Sequence, residues 1–281
     1  MTAKNPMQLK AYIKKMAAEK NISAQLVMQN YMLERLLERI SVSQYQSNLI
    51  LKGGFLISAI VGLDTRATMD LDTTIRGFDV THDTVRRIFE EIGATPIEDN
   101  VQFEVLNTSD IREGDDYPGI RVAMKANYPP LAVPLSVDVT TGDKITPRAI
   151  EYSFKLLFED RTIKIMAYNL ETGLAEKLET IVTRGIANTR PRDFYDIYIL
   201  YQLRGHECDR SVLKSALTET ASRRKSLAVM SNYKAVLNNI SESEQMKGFW
   251  RKYQTDFDYA KDIDFTDICH LIVQIFAEIG F

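Results

Sequence analysis

The segment LKGGFLISAIVGLDTRATMDLD, residues 51–72, decides how the chain is read. Gly53-Gly54 marks a turn, the apolar run FLISAIVG that ends at Gly62 reads as a short helix, and TMDLDTTI alternates acidic and apolar residues as a strand does. Side chains two apart on a strand project from one face, so Asp70 and Asp72 are expected to present their carboxylates together. Hard cations such as Mg²⁺ take oxygen ligands, usually one or two carboxylates plus substrate phosphates. A glycine turn at the start of a helix lets backbone N–H groups approach such phosphates without a Cβ in the way.

A lone D-x-D is weak, because such pairs often sit at strand ends as solvated or turn-forming residues. Its context strengthens it. A third carboxylate, Asp138, follows on the alternating stretch LSVDVTTGD (135–143), and three carboxylates are what two-metal phosphoryl chemistry requires. Asp143 competes for that role, but it follows Thr141-Gly142 and reads as a turn residue.

On either side of this segment the pattern is regular. Residues 6–40 carry apolar positions three or four apart and read as two amphipathic helices, and THDTVRRIFEEIG (81–93) begins on a Thr cap and ends in Gly. Short strands follow as VQFEVL, GIRVAMKANY, LSVDVTTGD and RTIKIMAY. Beyond them the pattern turns helical, over 170–187, 191–204, 209–222, 226–240, 242–253 and 266–279. A boundary is therefore expected near residue 168, with residues 1–168 an α+β domain and 169–281 an all-helical one.

Composition excludes several classes. With 281 residues and 45% hydrophobic content the chain can bury a core, and a net charge of −3 is not the surface of a non-specific nucleic-acid coat. No apolar stretch is long enough for a membrane span, and the N-terminus lacks the apolar run of a signal peptide, so a cytoplasmic location without membrane contact is expected. The two cysteines and three histidines form neither a zinc pattern nor a disulfide framework.

A second motif lies in the helical half. NLETGLAEKLETIVTRG (169–185) places Leu170, Leu174, Leu178 and Ile181 on one apolar face, with Lys177 and Arg184 on an adjacent face. TRPRDFYDIYILYQL (189–203) has Pro191 in a first helical turn and Asp193 and Asp196 one turn apart. Taken singly, these charges read as solvated surface residues or dipole-favouring acids.

Gly53-Gly54, Asp70-x-Asp72 and Asp138 together resemble the signature of the polymerase-β-like nucleotidyltransferases. RATMDLD (66–72), EKLETIVTRG and RPRDFYDIY resemble more narrowly the AbiEii/AbiGii toxin family, over roughly residues 50–205. The resemblance implies a mixed sheet with flanking helices and a helical C-terminal domain that completes the active site. It implies Asp70, Asp72 and Asp138 as ligands of Mg²⁺ or Mn²⁺, Lys177 as the cation that neutralises triphosphate charge, and Asp193, with Asp196 as the alternative, as the acid that positions the reacting groups. Phe55 stands where the superfamily carries a small hydroxyl residue, which leaves Lys52, Ser58 and the Gly53-Gly54 backbone as the phosphate contacts. Arg66, Arg184, Arg190 and Arg192 become candidate RNA or phosphate contacts.

The expected activity is transfer of a nucleotide from an NTP to an RNA 3′ end, with tRNA the acceptor the resemblance suggests and pyrophosphate released. The biological setting it implies is a bacterial toxin–antitoxin or abortive-infection (phage-defence) system with an antitoxin encoded nearby. An enzyme that places AMP on a protein hydroxyl, or a non-catalytic nucleotide- or RNA-binding protein, would share these residues.

Overall fold

The computed structural model describes residues 5–111 and 119–281, and the chain divides into two compact units. The first comprises Met1–Asp143 with Ala149–Ala167, the second Lys144–Arg148 with Tyr168–Phe281.

In the first unit, α1 (Pro6–Glu19) starts on Asn5, whose side chain accepts the Gln8 N–H, and α2 (Ala24–Val42) starts on Ser23, which accepts that of Leu26. Each cap satisfies a donor that a helix start leaves unpaired. The chain continues through β1 (Leu49–Lys52), α3 (Gly53–Val61), β2 (Asp70–Ile75) and α4 (His82–Gly93). It then forms β3 (Gln102–Ile111), β4 (Gly119–Tyr128), β5 (Leu131–Thr140), β6 (Ile150–Lys155) and β7 (Thr162–Ala167). Thr81 caps α4, and Val85, Ile88, Phe89 and Ile92 form its buried stripe.

These strands make one mixed sheet in the order β3-β4-β5-β2-β1-β7-β6, with β2–β5 and β1–β7 parallel and the remaining pairs antiparallel. β1 and β6 are additions to the strands expected from alternation. β1 is only four residues long and buried throughout, so it shows no polar–apolar period to read.

Helix α2 carries a feature that the spacing of its apolar residues concealed. Arg35 is fully buried and pairs with Glu34 at 2.6 Å, Glu38 at 2.8 Å and Glu159 at 3.0 Å, while Arg161 reaches Glu38 and Glu159. One turn on, Arg39 forms a bidentate pair with Asp99 at 2.7 and 2.8 Å. Glu34 also accepts the Leu157 N–H at 2.6 Å, so the helix is tied to the segment between β6 and β7 by charge and backbone contacts together. Burial pushes the Glu34 carboxyl up to about 7, against the opposing pull of Arg35 and the Leu157 N–H.

The second unit is helical: α5 (Leu170–Arg184), α6 (Pro191–Arg204), α7 (Arg210–Arg223), α8 (Leu227–Met230), α9 (Tyr233–Glu242), α10 (Glu244–Asp256) and α11 (Phe265–Glu278). The single helix expected over 226–240 is instead α8 and α9, separated by a turn at Ser231-Asn232. Both residues compete with helix by bonding locally, and Ser231 Oγ donates to the Ala228 carbonyl. Tyr195 is buried against Tyr253 and Tyr259, which makes it core rather than a stacking platform.

Candidate active site

Strand register assembles the carboxylates of the first unit. Lys52 on β1 lies opposite Asp72 on β2, Asp72 beside Asp138 on β5, and Asp138 opposite Arg121 on β4. In-register residues share a sheet face, so four strands present one row of charges: Lys52, Asp72, Asp138, Arg121. Asp70, two residues before Asp72, is on the same face and exposed.

The glycine turn is built around Asp72. Gly53 adopts φ +64°, a left-handed conformation that favours glycine, and a Cβ there would stand 2.2 Å from Asp72 Oδ2. Gly54 donates its N–H to the same oxygen at 3.2 Å, so the carboxylate satisfies a donor at the start of α3. Arg66 is buried with its guanidinium against Gly54 and donates to the Ala67 carbonyl, which places it in the turn rather than on an outer surface. Ser58 is buried one turn into α3.

The Asp72 carboxyl is held above the usual carboxylate range. Burial is the largest cause, the charges of Asp138 and Asp70 add to it, and Lys52 and the Gly54 N–H oppose it. Lys52, itself buried, lies 2.5 Å from Asp143, which also accepts from the Thr140 hydroxyl at 2.6 Å. Asp143 thus sits at the Lys52 end of the row, while Asp138 is gripped by Arg121 through both oxygens, at 2.8 and 2.9 Å. Neither ion pair had a signal in the sequence, because each joins residues brought side by side by strand pairing.

Among the described residues no group of three or more His, Cys, Asp or Glu side chains is already arranged to hold a metal ion. The donor set nonetheless fits a hard divalent cation. Asp70 and Asp72 offer oxygen ligands from one face, their mutual repulsion with Asp138 is what a bound cation relieves, and the missing Cβ at Gly53 leaves room for the Asp72 carboxylate.

In the second unit the structure brings Lys177, Asp193 and Asp196 together. Lys177 Nζ lies 2.9 Å from Asp193 and 2.7 Å from Asp196, linking α5 to α6. It is not a solvated surface lysine: its side chain is 15% exposed, and that of Asp196 is fully buried. Burial alone would lower the Lys177 ammonium, but the two carboxylates outweigh it and hold the group above its ordinary value. Arg184, Arg190 and Arg192 are exposed at the end of α5, in the following loop and in the first turn of α6.

The family model described as nucleotidyl transferase AbiEii toxin, type IV TA system, matches residues 35–270. The chain belongs to the AbiEii nucleotidyltransferase toxin family. Membership of AbiEii implies a nucleotide substrate and an antitoxin counterpart. Among solved structures, the AbiEii chain is similar to JHP933 from Helicobacter pylori, at 12% identity over 92% of this chain and 91% of that one, with a TM-score of 0.48. It is also similar to an antigenic nucleotidyltransferase-like protein from Paracoccidioides brasiliensis, at 16% identity over 72% of this chain and 93% of that one, with a TM-score of 0.41. No curated protein sequence matches it. Among the described residues, no helix of this AbiEii protein is long and apolar enough to cross a membrane.

Proposed function

We propose that this AbiEii protein transfers a nucleotide from an NTP to the 3′ hydroxyl of an RNA, with tRNA the favoured acceptor. The row formed by Lys52, Asp72 and Asp138, with Asp70 beside it and the Gly53 cradle behind Asp72, is the observation that supports this reading. A protein that only bound nucleotide would have no use for carboxylates crowded at a cost in stability.

In the proposed reaction the acceptor oxygen forms a bond to the α-phosphorus, the bond to the β-phosphate oxygen breaks, and pyrophosphate leaves. Asp70 and Asp72, with Asp138 as the third carboxylate, would hold Mg²⁺ or Mn²⁺. When bound, such ions would supply activation of the attacking hydroxyl and neutralisation of charge on the triphosphate and leaving group. The Gly53-Gly54 backbone and Lys52 bind phosphate oxygens, and Ser58 and Arg66 support the turn that does so. Lys177 answers triphosphate charge, Asp193 orients it, and Asp196 keeps the ammonium protonated. Arg184, Arg190 and Arg192 contact the RNA backbone.

Incubation of the purified protein with each labelled NTP and Mg²⁺, with total RNA in one arm and a protein lysate in the other, tests the proposal. Label in RNA that disappears in the Asp70→Asn variant is the expected result. Label in protein instead would establish AMP transfer, and binding without label in either arm would establish a non-catalytic binder. In cells, the wild type is expected to arrest growth until an antitoxin is supplied, and Asp70→Asn is not.

A further inference from the structure

The third carboxylate does not stand open. Arg121 Nε donates to one oxygen of Asp138 and Nη2 to the other, at 2.8 and 2.9 Å, in the fork geometry that makes guanidinium–carboxylate pairs strong. The partners are directly opposed on β4 and β5, so no backbone movement is needed to make or break the pair. Their environments differ: the Asp138 side chain is 16% exposed, that of Arg121 47%. Asp138 is thus fixed in the row beside Asp72, while Arg121 has solvent into which it can turn. The charges of Asp70 and Asp72 also act on Arg121, so the guanidinium lies within the field of the whole cluster.

We propose that Arg121 is a built-in competitor for Asp138: its guanidinium sets the divalent-cation affinity of the site and must turn away before Asp138 serves as a ligand. A guanidinium and a divalent cation repel each other and need the same two oxygens. Binding through Asp138 therefore exchanges one cation for the other, and the observed affinity is the intrinsic affinity reduced by the fraction of molecules in which Arg121 holds the carboxylate. Because the guanidinium side of the pair is open to solvent, its hold on Asp138 is weak enough for millimolar metal to overcome. Arg121 thereby acts on the site through Asp138, as a positioning residue. This inference rests on reading Asp70, Asp72 and Asp138 as metal ligands, and its test separates the two.

Mn²⁺ binding to the full chain is measured by the loss of the free-ion electron paramagnetic resonance signal, without nucleotide. Arg121→Gln is expected to bind Mn²⁺ about fivefold more tightly than the wild type, the factor corresponding to an ion pair whose guanidinium is open to solvent. Arg121→Lys, which keeps the charge but loses the fork, is expected to show roughly a twofold gain, and it carries the test if the glutamine variant does not fold. The gain should vanish in the Arg121→Gln, Asp138→Asn double variant. Mn²⁺ should also raise the melting temperature of Arg121→Gln more than that of the wild type. Unchanged or weaker binding by both Arg121 variants, with binding still abolished by Asp70→Asn, overturns the competitor while leaving the metal site intact. Absence of Mn²⁺ binding in the wild type and in every variant overturns both.

Discussion

The carboxylate of Asp72 occupies the space that a Cβ on residue 53 would need, and the glycine at 53 is what lets strand β2 carry an acid at that height. The glycine turn and the D-x-D are therefore one construction: the turn accommodates Asp72, and Asp72 caps the helix that the turn begins.

Gly53→Ala should damage this construction in two ways. The left-handed φ costs a non-glycine residue about 1 to 3 kcal/mol, and the new methyl displaces Asp72. Gly54→Ala should be milder, since its nearest neighbours are the ends of the Arg66 and Thr68 side chains at 3.0 and 3.1 Å. Thermal melts and transfer rates measured on both variants check the order; a Gly54→Ala protein more damaged than Gly53→Ala would contradict it.

Asp72→Asn should abolish Mn²⁺ binding and nucleotide transfer while leaving the fold intact. Without divalent metal the variant should melt at or above the wild-type temperature at neutral pH, because it removes a half-buried charge crowded by Asp70 and Asp138. An asparagine oxygen can still accept the Gly54 N–H, which protects the start of α3. Calorimetry in a chelating buffer makes the comparison.

Lys177→Ala should cost about 3 to 5 kcal/mol of stability, far more than an exposed lysine would, because it breaks buried ion pairs to Asp193 and Asp196. Adding Asp196→Asn should restore part of the loss, the signature of a coupled pair. The Lys177 value is raised in the folded protein, so its contribution is complete below the unfolded value of about 10.4 and is lost only as pH rises through the higher folded one. The penalty should accordingly be flat between about pH 6 and about pH 9. Urea titrations at several pH values read it, and transfer assays on the folded fraction report separately on chemistry.

Glu34 should make stability fall as pH rises towards neutrality. Its folded value of about 7 lies above the unfolded value of about 4.3, so the folded state binds the extra proton between them, and stability present below that window is lost through it. The upper bound is about 4 kcal/mol. Glu34→Gln should flatten this slope and be at least as stable as the wild type near pH 8, since Arg35 and Arg161 then face two acids, Glu38 and Glu159, instead of three. An unchanged slope between about pH 4.5 and about pH 7 would remove Glu34 as its source.

What the sequence determined by itself is local. Periodicity two places Asp70 and Asp72 on one face of β2, Thr81 and Pro191 mark helix starts, and the change from alternation to helical spacing marks where strands give way to helices. These depend on the conformation of a few consecutive residues, which those residues largely dictate. Tertiary structure alone decided which distant residues became neighbours. The order β4-β5-β2-β1 puts Arg121, Asp138, Asp72 and Lys52 in one row, a fully buried Arg35 within an apolar-looking helix finds Glu159 more than a hundred residues away, and Lys177 meets Asp196 across two helices. A charge shows the same letter in the sequence whether it is solvated or paired. The difference lies in the partner and in the water excluded around it, and both are fixed only when the strands and helices pack.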